Sequence, residues 1–326
     1  MDRNMDYTLL YRVTKAYFKD KKTQQEISEV ENFSRSQISR LLKKAQEEEL
    51  VTYELNFPSD TDEEAMAEEL RSLLGLERVV LIPSYYGLQQ QEVSEKEVCK
   101  NLALGAGEKL AELLGDAKTV GLGWGRTMYN TSLYVRPAAR PVRGRVFVPL
   151  IGLSGDNNPM LQINTIVDRF GERFHAERHY INMQSLQPTE SMPVYDQNAL
   201  KHLFARWDEL DAAVVSIGTP PAGNKTLISE FPKNYKKQLQ SSGTIGDILS
   251  QFFYEDGKIF DLDARFRLLA MDIERLRAVP NVIAIASGAD KCRGICVAAK
   301  LGFIKTLVTD YDTAEMILNS EGRAKT

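Results

Sequence analysis

Apolar residues recur at helical spacing through the first fifty positions, after which the period changes. Leu9, Leu10, Val13, Ala16 and Tyr17 form one stripe, so residues 6–19 are expected as an amphipathic helix. A second helix starts at Thr23, where Thr23-Gln24-Gln25-Glu26 fits a capping box, with Ile27 and Val30 as its expected buried face. Past the short turn Glu31-Asn32-Phe33, the stretch Ser34-Arg35-Ser36-Gln37 forms another capping box. It opens a third helix with Ile38, Leu41, Leu42 and Ala45 inward. Two capped helices across a tight turn make a helix-turn-helix. The alternation Val51-Thr52-Tyr53-Glu54-Leu55 then reads as a wing strand that Pro58 ends. From Glu63 to Leu74 the spacing is helical again, through Met66, Leu70, Leu73 and Leu74.

From Arg78 onward, short β-branched runs alternate with helical lengths. The runs are 79–82, 119–122, 146–148, 213–217, 282–285 and 306–308, and strands so separated imply a doubly wound, mostly parallel sheet. The expected fold class is therefore α/β, in three parts. Residues 1–57 make a winged helix-turn-helix, 58–76 a linker helix, and 77–326 a doubly wound α/β domain. No internal repeat or low-complexity tract interrupts this order.

A chain of 326 residues suits one small and one larger unit, each with its own core. Its net charge is −4, so nucleic-acid binding has to come from a local patch. Residues 1–57 hold ten Lys/Arg and ten Asp/Glu, and placement decides the matter. From Ser34 to Lys44 the third helix carries Arg35, Arg40, Lys43 and Lys44 and no acid, while Glu47, Glu48 and Glu49 gather at its far end. A recognition helix meets base edges through its N-terminal turns, which here offer Arg35, Ser36, Gln37, Ser39 and Arg40. Arg suits guanine and Gln adenine, at about 1–3 kcal/mol of discrimination per bidentate pair. Lys43 and Lys44 suit phosphate, and Thr23, Gln24 and Ser34, at the helix starts, complete the expected DNA face. The competing reading is a solvated basic face on an ordinary helix.

Asp2, Arg3, Asp6, Arg12 and Lys15 break up any apolar leader, and no run approaches the ~18 apolar residues of a spanning helix. A cytoplasmic protein without membrane contact is expected. Cys99, Cys292 and Cys296 cannot all pair, and Cys292 and Cys296 lie one helical turn apart without further ligands nearby, so neither metal nor cofactor is expected. His175, His179 and His202 scatter without the spacing of a metal or base site, as surface or core histidines do.

Candidate binding chemistry lies at two strand-to-helix junctions. Gly121-Leu122-Gly123-Trp124-Gly125-Arg126-Thr127 follows a strand and opens a helical stretch through Tyr134. Glycine lets main-chain amides approach a ligand closely, and a helix start favours negative charge. Arg126 adds a cation and Thr127 a hydroxyl. The alternative for this loop is a tight turn with a packed Trp124. At the second junction, Ser287-Gly288-Ala289-Asp290-Lys291 follows the strand ending at Ala286, and Lys291 sits in the first turn of the next helix, where an anion nearby would favour it. In a parallel sheet such loops face one crevice.

Taken together, these motifs resemble the SorC-type family of sugar-sensing transcriptional regulators, over essentially the whole chain. The resemblance rests on Thr23-Gln24-Gln25-Glu26-Ile27, on Ser34 through Leu42, and on Gly123-Trp124-Gly125-Arg126-Thr127. Further matches are Gly246-Asp247-Ile248, Asp256-Gly257, Ser287-Gly288 with Lys291, and Leu307-Val308-Thr309-Asp310 before Thr313-Ala314. It implies a winged helix-turn-helix joined to an isomerase-like sugar-phosphate-binding domain, acting on double-stranded operator DNA as a homotetramer, a dimer of dimers. It further implies that Gly125, Arg126 and Thr127 line the phosphate end of an effector pocket, with Asp247 and Lys291 contacting the sugar; Gly123, Trp124 and Gly288, in the same two loops, are expected to bind the effector too. Pro149-Leu150-Ile151-Gly152 lacks the arginine that the glycolytic member uses for a second phosphate, so a sugar or sugar monophosphate is the expected effector. The rival function is a sugar-phosphate isomerase or deaminase with an accessory DNA-binding domain. Asp247 and Lys291 would be its acid and base, yet no His or Glu accompanies the 121–127 loop.

Overall fold

A computed structural model describes residues 7–48, 50–51, 62–84, 95–136, 141–154, 158, 162–189, 196–222, 233–262 and 264–323. The chain divides into two compact units, Met1–Pro58 and Ser59–Thr326.

In the first unit, α1 (Tyr7–Thr14) runs on as a π-helical turn over Lys15–Lys19, and α2 (Gln24–Glu31) and α3 (Arg35–Glu47) follow. Both capping boxes form. Thr23 accepts from the Glu26 amide and Ser34 from the Gln37 amide, and Glu26 and Gln37 reach back to the cap amides. Asn32 closes α2 in the left-handed conformation that Asn tolerates. Leu10, Val13, Ile27, Ile38, Leu42 and Ala45 fill the core. Val30 does not join them and is 67% exposed. The inward face of α2 instead runs through Gln24, Ile27, Ser28 and Glu31, with Glu31 paired to Arg12, which leaves Val30 on the flank. The expected wing strand lies outside the described residues, Val51 apart.

The second unit begins at α4 (Glu63–Leu74), which the sequence presents as a linker helix; here it buries Leu70 and Leu74 in the unit's main core, because its apolar stripe needs a partner surface. In chain order there follow β1 (Arg78–Ile82), α5 (Glu95–Leu114), β2 (Thr119–Leu122), α6 (Arg126–Tyr134), β3 (Val146–Pro149), α7 (Ile163–Phe174), β4 (Glu177–Arg178), β5 (Leu186–Pro188) and α8 (Asp196–Asp208). The remainder is β6 (Ala212–Ser216), α9 (Lys233–Gln240), β7 (Gly246–Ile248), β8 (Gln251–Phe253), β9 (Phe266–Leu268), α10 (Ile273–Ala278), β10 (Asn281–Ile285), α11 (Cys292–Lys300), β11 (Thr306–Asp310) and α12 (Tyr311–Arg323).

Seven strands form one parallel sheet in the order β1-β11-β10-β6-β2-β3-β4. One group of touching helices, α5, α6 and α7, and another, α4, α11 and α12, cover it, as a doubly wound fold requires. All six β-branched runs lie in this sheet. Buried on both faces, they can be continuously apolar, as Ala212–Val215 and Val282–Ile285 are. Two antiparallel ribbons, β5 with β9 and β7 with β8, stand outside it.

Candidate effector site and DNA-reading face

The strand order fixes where a ligand can sit. After β2 the chain moves outward through α6 to β3, whereas after β6 it moves the other way, to β10 and β11. Connections that diverge from neighbouring strands leave a crevice at the carboxyl edge between them. The Gly123–Thr127 loop leaves the sheet at that switch point. Gly123 donates its amide to Val214 of β6 (2.8 Å), and the Trp124 carbonyl accepts from Ser216 Oγ (3.3 Å). Trp124 is 7% exposed and packs into the core. Both anchors hold the loop against β6, so that α6 starts at the mouth of the crevice.

Gly125 is the N-cap of α6 at φ 105, a conformation that side chains rarely adopt, so a glycine is needed there. No acceptor within the described residues meets the amides of Arg126, Thr127 and Met128; the first helical bond of this turn is donated by Tyr129. Arg126 is exposed and forms no ion pair among the described residues. Three open amides at the positive end of a helix thus lie together at the switch point, and the exposed Arg126 is the first residue of that helix. Thr127 is arranged differently from its expected role as a hydroxyl donor. It is 7% exposed and its Oγ1 lies 3.9 Å from Cys99 Sγ on α5, so its amide is what remains for a ligand.

β6 and β10 are neighbours, which puts the second junction about 10 Å from the first, two strand spacings away. Gly288 turns the chain at φ 109, Ala289–Lys291 make a 3-10 turn, and Lys291 is half-buried at the start of α11. Asp247, on β7, is brought to the same edge because its carbonyl accepts from Gly218 just beyond β6 (2.9 Å). It is buried at 6% exposure, and its Oδ2 accepts from the Ser250 amide (3.2 Å) across a hairpin turn whose residues Leu249 and Ser250 both have positive φ. That carboxylate braces the turn, and such commitment counts against its use as a free catalytic base. The sequence reading missed Ser216 and Gly218. The only signal for them is a small or polar residue ending an otherwise apolar strand.

Elsewhere, a cleft of about 370 Å³ is lined by Tyr235, Phe252, Phe260 and Phe266 among others. It contains none of the expected effector residues and approaches them only through Ser250. Gln251, in its wall, has both amide atoms spent on Met271 and Ile273, while Asp261, Arg267 and Asp272 also line it.

On α3, Arg35, Ser39 and Arg40 are exposed and have no side-chain partner among the described residues. Ser34, Ser36 and Gln37 are exposed but engaged in the cap, with Gln37 Oε1 accepting from both the amide and the hydroxyl of Ser34. A bidentate grip on adenine by Gln37 would have to break that cap. Thr23 is likewise spent on Glu26, whose carboxyl is held below its ordinary value by the hydrogen bonds from the Thr23 amide and hydroxyl, and Gln24 is half-buried. Lys43 and Lys44 face Glu47 and Glu48 at 3.6 and 3.9 Å, exposed pairs weak enough to open for a phosphate.

The architecture defines a capped helical module followed by a doubly wound α/β domain with an anion-favouring helix start at its switch point. Residues 61–319 match the sugar-binding domain family, Sugar-bind. The sorbitol operon regulator of Klebsiella pneumoniae is 29% identical over 98% of this chain and all of its own, and the transcriptional regulator LsrR of Escherichia coli K12 is 26% identical over 95% of this chain and 94% of its own. The crystal structure of the full-length Klebsiella sorbitol operon regulator superposes with a TM-score of 0.73 at 25% identity, covering 97% of this chain and all of that one. The chain belongs to the SorC-type family of sugar-binding transcriptional regulators. These relatives are named as regulators, not as enzymes. Among the described residues no helix is long and apolar enough to cross a membrane.

Proposed function

We propose that this protein is a transcription regulator of a carbohydrate-utilisation operon, whose affinity for operator DNA is set by a sugar or sugar monophosphate. The observation that carries the reading is the start of α6, where the amides of Arg126, Thr127 and Met128 have no acceptor among the described residues and Arg126 is exposed at the switch point. The phosphate end of the effector sits there on Gly125, Arg126 and Thr127, while Gly123 and Trp124 of the same loop anchor it against β6. Asp247, Gly288 and Lys291 attend the sugar. Pro149–Gly152 supplies no second cation, which supports a monophosphate over a bisphosphate. Arg35, Ser39 and Arg40 read base edges, Lys43 and Lys44 hold phosphates, and Thr23, Gln24, Ser34, Ser36 and Gln37 shape the two helix starts. The protein works as a dimer of dimers, each dimer setting two reading helices about 34–36 Å apart on a near-palindromic site.

A thermal-shift screen of phosphorylated and free sugars, followed by titration of DNA selected for binding to the wild type, tests this. A ligand at about 100 times its Kd stabilises the folded state by ~2.7 kcal/mol. Arg40→Ala should weaken DNA binding by about 1–3 kcal/mol while leaving that stabilisation intact. Arg126→Ala should lose the stabilisation and keep its DNA affinity. Joint loss of both activities in either variant would refute the division of labour.

A further inference from the structure

We propose that Thr313 is a positioning residue of the effector site, fixing the loop from which Lys291 is presented. The proposal rests on the effector reading above. The Gly288 amide does not open towards a ligand as the α6 amides do; it donates to Thr313 Oγ1 at 2.8 Å. Thr313 is 1% exposed in the first turn of α12, and its own amide donates to Asp310 Oδ1 at 2.9 Å. Asp310 is 5% exposed and ends β11, the strand paired with β10. A buried relay therefore runs from β11 through α12 to the loop after β10. The Gly288 carbonyl in turn accepts from the Lys291 amide (2.9 Å), so Gly288 is pinned on both sides and the start of α11 inherits its orientation.

The two junctions thus divide the work. The α6 start offers open amides and a cation, which suffice for an anion of any kind. The β10 loop has spent its Gly288 amide on the tether and contributes through the placement of the Lys291 side chain. Affinity for bare phosphate belongs to the first junction, and preference for a phosphorylated sugar over phosphate belongs to the second. Thr313 governs only the second.

Thr313→Val keeps the shape of the side chain and removes the acceptor, while Thr313→Ser keeps the acceptor. Affinities for inorganic phosphate, glucose 6-phosphate, fructose 6-phosphate and ribose 5-phosphate are measured by calorimetry on the full chain. Thr313→Val should weaken the best-bound sugar phosphate about tenfold, by releasing the half-buried Gly288 amide from the acceptor that fixes the loop, with inorganic phosphate unchanged within about twofold. Thr313→Ser should match the wild type on every probe. If Thr313→Val keeps its sugar-phosphate affinity, loses inorganic phosphate in parallel, or is not rescued by serine, the assignment is wrong. Should Thr313→Val fail to fold, Gly288→Ala takes its place. No atom lies within 4 Å of the added methyl, yet φ 109 resists it, so the same selective loss is expected and unchanged binding overturns the proposal. A wild type that binds no sugar phosphate sinks the effector site and this assignment with it, whereas a Thr313→Val protein that binds every probe normally sinks the assignment alone.

Discussion

At the scale of single residues, the thiols behave as hydrophobic groups. Cys296 is 4% exposed on the inner face of α11, and burial, with the Glu321 carboxylate adding to it, pushes its pKa from 9.0 up to about 12. The folded-state value lies above the unfolded one, so the neutral thiol is favoured by folding. Its contribution is complete below pH 9.0 and disappears as pH rises through about 12. Cys296→Ala removes the titration and leaves a small cavity whose effect does not depend on pH. Urea denaturation should therefore find the variant less stable than the wild type near neutrality, with the gap closing steadily above pH 9.0. A gap that stays constant into strong alkali would mean that the thiol titrates normally. The same burial keeps Cys296 slow towards iodoacetamide relative to Cys99, beside Thr127, and Cys292, both half-buried.

At the scale of elements, helix starts are capped for stability and are also the proposed points of recognition, and Gln37 sits where the two meet. Its side chain accepts from the Ser34 amide and hydroxyl, and it also stands in the first turn of the helix expected to enter the groove. Gln37→Glu keeps the capping geometry and adds a negative charge where the helix dipole welcomes it, for about 0.3–1 kcal/mol of stabilisation. The same charge faces DNA phosphates. The melting temperature should hold or rise while affinity for selected DNA falls, and a variant that binds as tightly as the wild type would remove Gln37 from the interface. Ser34→Ala should instead cost about 1 kcal/mol of stability. Elements of this kind were legible in the sequence because a cap is a local pattern, Thr23-x-x-Glu26 or Ser34-x-x-Gln37, and a buried parallel strand is an apolar run. What escaped was set by distant contacts. β4, β5, β7, β8 and β9 are two or three residues long and carry no period. Val30 looked inward because apolar spacing cannot tell which side of a two-turn helix its neighbours cover. The two loops proposed for the effector stood out in the sequence through glycine, charge and the family resemblance. That the Gly288 amide is spent on Thr313, or that Thr127 turns towards Cys99, depends on residues 25 and 28 positions away.

At the scale of the molecule, charge is unevenly shared. The whole chain carries −4 and residues 1–57 balance to zero, so all the excess negative charge lies in the remaining residues. On the proposed reading, the negatively charged remainder disfavours DNA, and association would depend on the few cations of α3. Log affinity should then fall steeply with log salt concentration, each neutralised phosphate contributing a slope of about 0.9. Lys43→Gln should lower that slope by about 0.9 and weaken all DNA sequences alike, whereas Arg40→Ala should narrow the gap between selected and unrelated DNA. The slope also discriminates between ways in which an effector could act. If the ligand stabilises free protomers in an arrangement that fits the operator better or worse, the protein–DNA complex itself is unchanged. The salt plot is then displaced in parallel by about 5–150-fold, the range of a ~1–3 kcal/mol coupling. If the ligand releases one reading helix of a pair, about half the phosphate contacts go and the slope falls by about half. We expect the parallel displacement, because the proposed effector contacts are in the second unit and α3 holds its own cap within the first. Affinities measured between about 50 and 200 mM salt, with and without the ligand found by thermal shift, distinguish the two, since over that range several phosphate contacts change binding by orders of magnitude.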